Sequence, residues 1–269
     1  LVQAVFERPG GSADPRHLPV RVTDRTLRQR NPRVDLVFRL LDLVGGRLGC
    51  EEVLDLLMLP EVAAHLELDG LSQPQWRSLL QAAGIRWGRD AGHRVSWGYP
   101  DDAQHSWRWG LDRLLLGLQL EDAFPESDAE AGQWQSIAAC HGPLATADVV
   151  LALNDACCRL FEQLQQLEHP QTPEAWNRNL GEAMQQLGGS GSDDGWQSPE
   201  LYALLQPLRL AGDQSLKLDS AAVVTLLEEA EAQEQGRYGH VSGAVTLSAL
   251  EPMRSIPHRI VVLLGMDEQ

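Results

Sequence analysis

The sequence predicts a mainly α-helical chain with a small α/β part assembled from its two ends. Three observations carry that expectation. Alternating or continuous β-branched apolar runs occur near the ends, in PVRVT at 19–23, VTLSAL at 245–250 and RIVVLLGM at 259–266. Between about 63 and 240 the apolar residues recur at helical spacing instead. That middle stretch is punctuated by caps, prolines and glycines that start and stop helices. A small discontinuous sheet is therefore expected to join Pro19–Val22 with Val245–Leu250 and Arg259–Leu264.

Taken in order, RPGGSADPR at 8–16 is a turn-rich linker, and the strand PVRVT follows it. Asn31-Pro32 opens an amphipathic helix through Val44, with proline in the first turn and Gly45 as the stop. A second helix, from about Glu51 to Met58, ends before Pro60. Ser72 with Gln75 forms a capping box for a helix reaching about Ala83. Ser106–Leu120 and Ala145–Leu167 are further helices. Thr172-Pro173-Glu174 and Ser198-Pro199-Glu200 are two helix starts, each combining a cap, a proline and an acid suited to the helix dipole. GGSGSDDG between them reads as a flexible loop, and a last helix covers about Asp219 to Ala232.

Length and charge bound the function. A chain of 269 residues suits one large domain or two smaller ones. It begins at Leu1 without an initiator Met and ends just after a strand, which reads as a piece of a longer protein. No secretory signal or long apolar run is present, so a cytoplasmic, non-membrane protein is expected. The net charge of −16 disfavours a domain that holds DNA mainly through its phosphates. Of the 22 basic residues only Lys217 is a lysine, and no GxxxxGK[ST] phosphate loop occurs in this sequence. Cys50, Cys140, Cys157 and Cys158 lack CxxC spacing and read as thiols in a reducing compartment.

The chemistry-bearing clusters are few. Trp76, Trp87, Trp97, Trp107 and Trp109 are interleaved with Arg77, Arg86, Arg89, Arg94 and Arg108. Residues 71–120 hold six Arg and four Asp, so this stretch is +2 while the remainder is −18. Arg with Trp serves either as a packed core or as a surface for single-stranded nucleic acid or a partner, and the sequence leaves both open. Contacts of the second kind would fall on Arg86, Trp87, Arg108 and Trp109. The acid-dense EDAFPESDAE at 121–130 reads as a solvated loop, since its carboxylates lack the fixed scaffold of a metal site. Cys140-His141 is adjacent in sequence, an arrangement that rarely gives nucleophile geometry, and His240 and His258 have no carboxylate at catalytic spacing.

Residues 245–268 are read as strand, polar loop and strand, and this layout resembles the fifth conserved motif of superfamily 1 helicases. In an active motor of that kind the loop sets a Thr and a His near the bound strand and Gly and Glu near the nucleotide. Here the corresponding positions are Ala249, Glu251, Ser255 and Pro257, with Arg254 where the Lys would be. Arg254 is thus the one retained cation, suited either to nucleic acid or to a salt bridge within the sheet. The string PMRSIP, followed by a strand and Gly-Met-Asp, is similar to the RecC family, the gamma chain of exodeoxyribonuclease V. VTDRTLRQRNP, IRWGRDAGHR and WRWGLDRLLLG resemble that family too, in its order.

The resemblance implies a helicase-like fold without motor activity. Residues 1–62 and 241–269 would be segments of a partial RecA-like parallel sheet, the 2A-like part, and 63–240 a 2B-like helical insertion. It implies strand channelling, participation in hotspot recognition, and complex assembly during double-strand break repair. The implied partners are the beta and alpha chains and DNA, with ATP and Mg used by those partner chains and no cofactor in this piece. Two rival readings are the 2A/2B region of a working superfamily 1 motor and a free-standing helical interaction module.

Overall fold

The helix starts read from the sequence at Asn31, Ser72, Thr172 and Pro199, and the last helix read from about Asp219, are all present in the computed structural model. The structure describes residues 20–22, 26–120, 133–134, 137–189, 199–210, 216–235, 245–247 and 259–263. In chain order its elements are β1 (Val20–Val22), α1 (Leu27–Arg30), α2 (Pro32–Leu43), α3 (Cys50–Leu57), α4 (Pro60–His65), α5 (Gln73–Ala83) and α6 (Ala91–Ser96). Then come α7 (Trp107–Leu120), β2 (Gln133–Trp134), β3 (Ile137–Ala138), α8 (Ala147–Leu167), α9 (Pro173–Gly188), α10 (Pro199–Leu210), α11 (Ser220–Gln235) and β4 (Val245–Leu247). The fold is mainly helical, as expected.

Local chemistry accounts for the helix starts. Asn31 Oδ1 accepts hydrogen bonds from the N–H groups of Arg33 at 3.0 Å and Val34 at 3.4 Å, and Pro32 occupies the first turn, where its missing N–H has no partner to lose. Gln75 Oε1 accepts from the Ser72 N–H at 3.0 Å, closing the capping box. Thr172 Oγ1 accepts from Ala175 N–H and Asp219 Oδ1 from Ala222 N–H. The short helices α1, α4 and α6 were not read from the sequence, since four to six residues are too few to show a helical period.

Two units divide the chain, residues 27–234 in one and 1–26 with 235–269 in the other. The helical unit has one continuous core, to which α2 contributes Leu36, Val37, Phe38 and Leu40 and α8 contributes Leu153, Cys157, Leu160 and Leu164. Three tryptophans, Trp76, Trp107 and Trp176, are fully buried in it. Helices α2 and α3 share this core, so they belong with the helical unit rather than with the α/β segments where the sequence reading set them. Their apolar faces find their cover on α5, α9 and α10, and burial decides the grouping.

In the other unit β1 and β4 pair in parallel, with Val20 opposite Val245, Arg21 opposite Thr246 and Val22 opposite Leu247. Parallel strands require a crossover, and the whole helical unit lies between them in the sequence. The expected third strand, Arg259–Leu264, is not formed over its described residues. Residues 259–263 have no ladder partner among the described residues, and Ile260 is 82% exposed. A β-branched run becomes a strand only when a neighbour takes its N–H and C=O groups. The middle also holds a short antiparallel pair, β2 with β3, that the expected helix-and-loop pattern did not include. Residues 8–16, the acid-dense 121–130 and most of GGSGSDDG lie outside the described residues.

Candidate functional site

The tryptophan-arginine stretch is organised by three short backbone segments lying side by side. The central one, 86–89, is held on one flank by the turn after α2, with Cys50 N–H donating to Arg86 O at 2.8 Å and Gly88 N–H to Arg47 O at 2.9 Å. On its other flank, Arg86 N–H donates to His105 O, while Trp107 and Arg108 N–H groups donate to Gly88 and Arg89 O, all at 2.9 Å. Trp107 then locks the three together, because its buried indole N–H donates to Leu48 O at 3.0 Å. Gly88 has φ of +83°, and a Cβ there would lie 2.7 Å from Arg94 Cγ, so the chain turns there without a side chain.

This framework sorts the aromatic residues. Trp76 and Trp107 are structural: both are buried, and Trp76 donates to Leu68 O at 3.0 Å. Trp87 is half-buried, with the Arg94 guanidinium 4.7 Å and the Arg47 guanidinium 5.9 Å from its ring centroid. Tyr99 meets Trp87 edge-on at 4.8 Å, and Arg47 also lies 5.2 Å from Trp97. Trp97 is 40% and Tyr99 43% exposed. Trp109 is half-buried in different company, with Arg113 at 4.7 Å over its ring and His105 edge-on at 5.3 Å. Of the expected contact residues, then, Trp87 sits in an aromatic-arginine corner and Trp109 in a separate packing group.

The arginines divide by partner. Arg77 makes a two-pronged ion pair with Glu51, at 2.8 and 2.7 Å, and Arg108 pairs with Asp112 at 3.2 Å. Arg89 is held between Asp90 at 3.2 Å and Glu168 at 3.1 Å, tying the corner to the end of α8. Arg94 donates to the carbonyls of Asp102, at 3.1 Å, and Gln104. Neutral acceptors leave its charge uncancelled. Arg47 and Arg86 are exposed, and no carboxylate among the described residues pairs with them. Arg254 lies outside the described residues, as do Ala249, Glu251, Ser255 and Pro257.

Arg47 and Tyr99 were not among the expected contact residues. Arg47 stands in the GGRLG turn some forty positions before Trp87, and the backbone hydrogen bonds joining 47–50 to 86–88 bring them together. Beneath the corner, His93 is buried with its Nδ1 unpartnered. Burial holds His93 below the usual histidine range, Arg89 adds to that, and Glu168 and Asp90 oppose it.

A groove of about 370 Å³ lies on the neighbouring surface, lined by Cys50, Glu51, Arg77, Gln81, Gly84, Ile85 and Arg86. Burial pushes the Cys50 thiol up to about 11, with Glu51 raising it further and Arg77 opposing, so it is protonated near neutrality. The Cys140 thiol is likewise raised by burial, which is the reverse of nucleophile activation. Among the described residues no group of three or more His, Cys, Asp or Glu could hold a metal ion. Among them also, no helix is long and apolar enough to cross a membrane.

The family description "RecBCD enzyme subunit RecC fourth domain" matches residues 30–235. The chain belongs to the RecC family. That match is nearly coextensive with the helical unit, 27–234. Relatives named RecBCD enzyme subunit RecC include that of Mycolicibacterium smegmatis, 31% identical over 261 residues, or 96% of this chain and 23% of the relative. The protein of the same name from Escherichia coli K12 is 30% identical over 278 residues, covering 100% of this chain and 23% of the relative. That from Mycobacterium tuberculosis H37Rv is 29% identical over 268 residues. This RecC-family chain thus spans about a quarter of the length of the curated relatives it matches. The resemblance read from PMRSIP and the three upstream strings is confirmed at the level of the family.

Proposed function

We propose that this chain works as a non-catalytic, helicase-like segment of a RecC subunit in a RecBCD enzyme, exodeoxyribonuclease V. In that role it guides separated DNA strands, participates in hotspot recognition and supports assembly with the beta and alpha chains in the cytoplasm during recombinational break repair. The observation that carries the reading is the match of the RecC fourth domain to residues 30–235, together with relatives of that name across nearly the whole chain.

The helical unit is read as a 2B-like insertion and the β1–β4 pair as part of a RecA-like sheet. A parallel pair whose crossover is an entire helical unit supports this. Motor chemistry is assigned to the partner chains, where ATP and Mg are used, because phosphoryl transfer needs a phosphate cradle, a metal and a polarising cation. The motif positions Ala249, Glu251, Ser255 and Pro257 have exchanged the types a motor uses there. The exposed corner at Arg47, Trp97 and Tyr99 supplies a surface of the kind that strands or partner chains use.

The test is reconstitution. The parent subunit containing this chain, expressed with the beta and alpha chains, should co-purify and support ATP-dependent unwinding of a linear duplex, while the parent subunit alone turns over no ATP. ATP turnover by that subunit alone, abolished by Arg254→Ala, would make it a motor; failure to co-purify would remove the assembly role.

A further inference from the structure

The corner around Trp87 combines features that a purely structural cluster does not need. Trp97 and Tyr99, 40% and 43% exposed, present ring surface to solvent, and Val95 beside them is 46% exposed. The rings are braced from behind: Arg94 lies 4.7 Å from the Trp87 centroid, and Tyr99 packs edge-on against Trp87 at 4.8 Å and 66°. Arg94 in turn is tied to the carbonyls of Asp102 and Gln104. Surfaces fixed in advance lose little freedom when a ligand arrives. The Arg47 guanidinium is shared between Trp87 at 5.9 Å and Trp97 at 5.2 Å, and no carboxylate among the described residues pairs with it.

We infer that the corner formed by Arg47, Trp97 and Tyr99 over Trp87 and Arg94 is a stacking platform for unpaired bases of single-stranded DNA. The inference deepens the proposed function and rests on its reading of the chain as a part that handles DNA. Charge selects the location. Residues 71–120 are +2 against −18 for the remainder, so a polyanion is repelled least here. Arg47 adds a further cation from the turn after α2, and Arg86 is exposed on the central segment that carries Trp87.

Chemistry selects the ligand. Asp101 and Asp102 are exposed in the loop that follows Tyr99, which weakens a site driven by phosphate contacts alone. Stacking on Trp and Tyr faces and on an arginine plane does not depend on a broad basic patch. A duplex hides its base faces, so exposed rings favour the single strand.

The experiment titrates the parent subunit containing this chain against three end-labelled probes by fluorescence anisotropy. The probes are oligo-dT, an abasic strand of equal length, and a duplex. Trp97→Ala and Tyr99→Ala are exposed changes, so retained melting temperatures certify folding, and Arg159→Ala on α8 is the control. Oligo-dT should bind more tightly than the abasic strand. Each ring deletion should weaken oligo-dT by about 5- to 150-fold, one lost stack, and leave the abasic strand unchanged. Arg47→Ala should weaken both strands.

Ring deletions without effect on oligo-dT, or with equal effect on the abasic strand, would overturn the platform. So would a wild-type subunit that binds neither strand. Ring deletions that spare strand binding but release the beta or alpha chain would make the corner a protein interface, overturning this inference while the RecC reading stands. Failure of the wild-type subunit to assemble with those chains would instead refute that reading.

Discussion

Replacing Trp107 by phenylalanine removes one hydrogen bond whose effect can be worked from the structure. The Trp107 indole N–H donates to Leu48 O at 3.0 Å in a fully buried setting. Phenylalanine keeps a ring in place but leaves the buried Leu48 carbonyl only the longer hydrogen bond from Gly88 N–H, at 3.3 Å. Losing one of its two hydrogen bonds costs about 0.5–1.5 kcal/mol. For a chain of this size that is a fall in melting temperature of roughly 1–6 °C. Trp76→Phe is the matched control, because its indole N–H also donates at 3.0 Å to a carbonyl, that of Leu68. Both variants should melt earlier. Only Trp107→Phe should also weaken oligo-dT binding, since Leu48 follows Arg47 in the turn that supplies the exposed guanidinium. Differential scanning calorimetry and anisotropy on the same samples make the comparison. A neutral Trp107→Phe, or equal binding loss in both variants, would refute the view that Trp107 positions the corner.

The remaining predictions concern packing, pH, thiols and catalysis. Gly117→Ala should destabilise more than Gly110→Ala: the new Cβ would lie 2.1 Å from the Cys140 carbonyl oxygen, which is backbone, whereas at Gly110 it meets the Ile85 side chain at 2.1 Å. Overpacking of this kind costs about 1–3 kcal/mol, offset at a helical glycine by about 1 kcal/mol of propensity, and thermal melts rank the pair. His93 titrates below its ordinary 6.5 in the folded chain, so the unfolded chain takes the proton first. Stability should therefore be full above 6.5 and fall as pH drops through the folded value, and His93→Gln should flatten that slope in urea melts. Iodoacetamide near neutral pH should label exposed Cys158 first and Cys157 last, because burial pushes the Cys157 thiol far up; mass spectrometry of the peptides reads the order. The isolated chain should neither turn over ATP nor cut DNA, and DNA-stimulated turnover lost on changing Arg254 or Lys217 would contradict this.

Helix boundaries were legible because caps are local. Asn31-Pro32, Ser72 with Gln75 and Thr172-Pro173 each fix a start through contacts within three residues. The corner was only half legible. Trp87 stood out in IRWGRDAGHR, but its neighbours depend on backbone hydrogen bonds joining 47–50 to 86–88, and those leave no side-chain signature. The same limit hid the roles of Gly110 and Gly117, which in sequence are only helix-weakening residues. Their reason is close approach to Ile85 and Cys140. RIVVLLGM shows the converse error: its composition suits a strand, yet pairing is a property of two segments and no partner faces 259–263 among the described residues.

The family resemblance came from short strings, of which IRWGRDAGHR and WRWGLDRLLLG lie inside the matched residues 30–235. The most direct test is photocrosslinking of a forked duplex with photoreactive thymidine analogues in its single-stranded tails, in the complete complex carrying this chain within its RecC subunit. Peptide mapping should place crosslinks on Trp97, Tyr99 or the Arg47 turn, and they should vanish with Trp97→Ala/Tyr99→Ala while the complex stays assembled. Strand crosslinks confined to the rest of the enzyme, with an intact complex and a folded chain, would contradict the account.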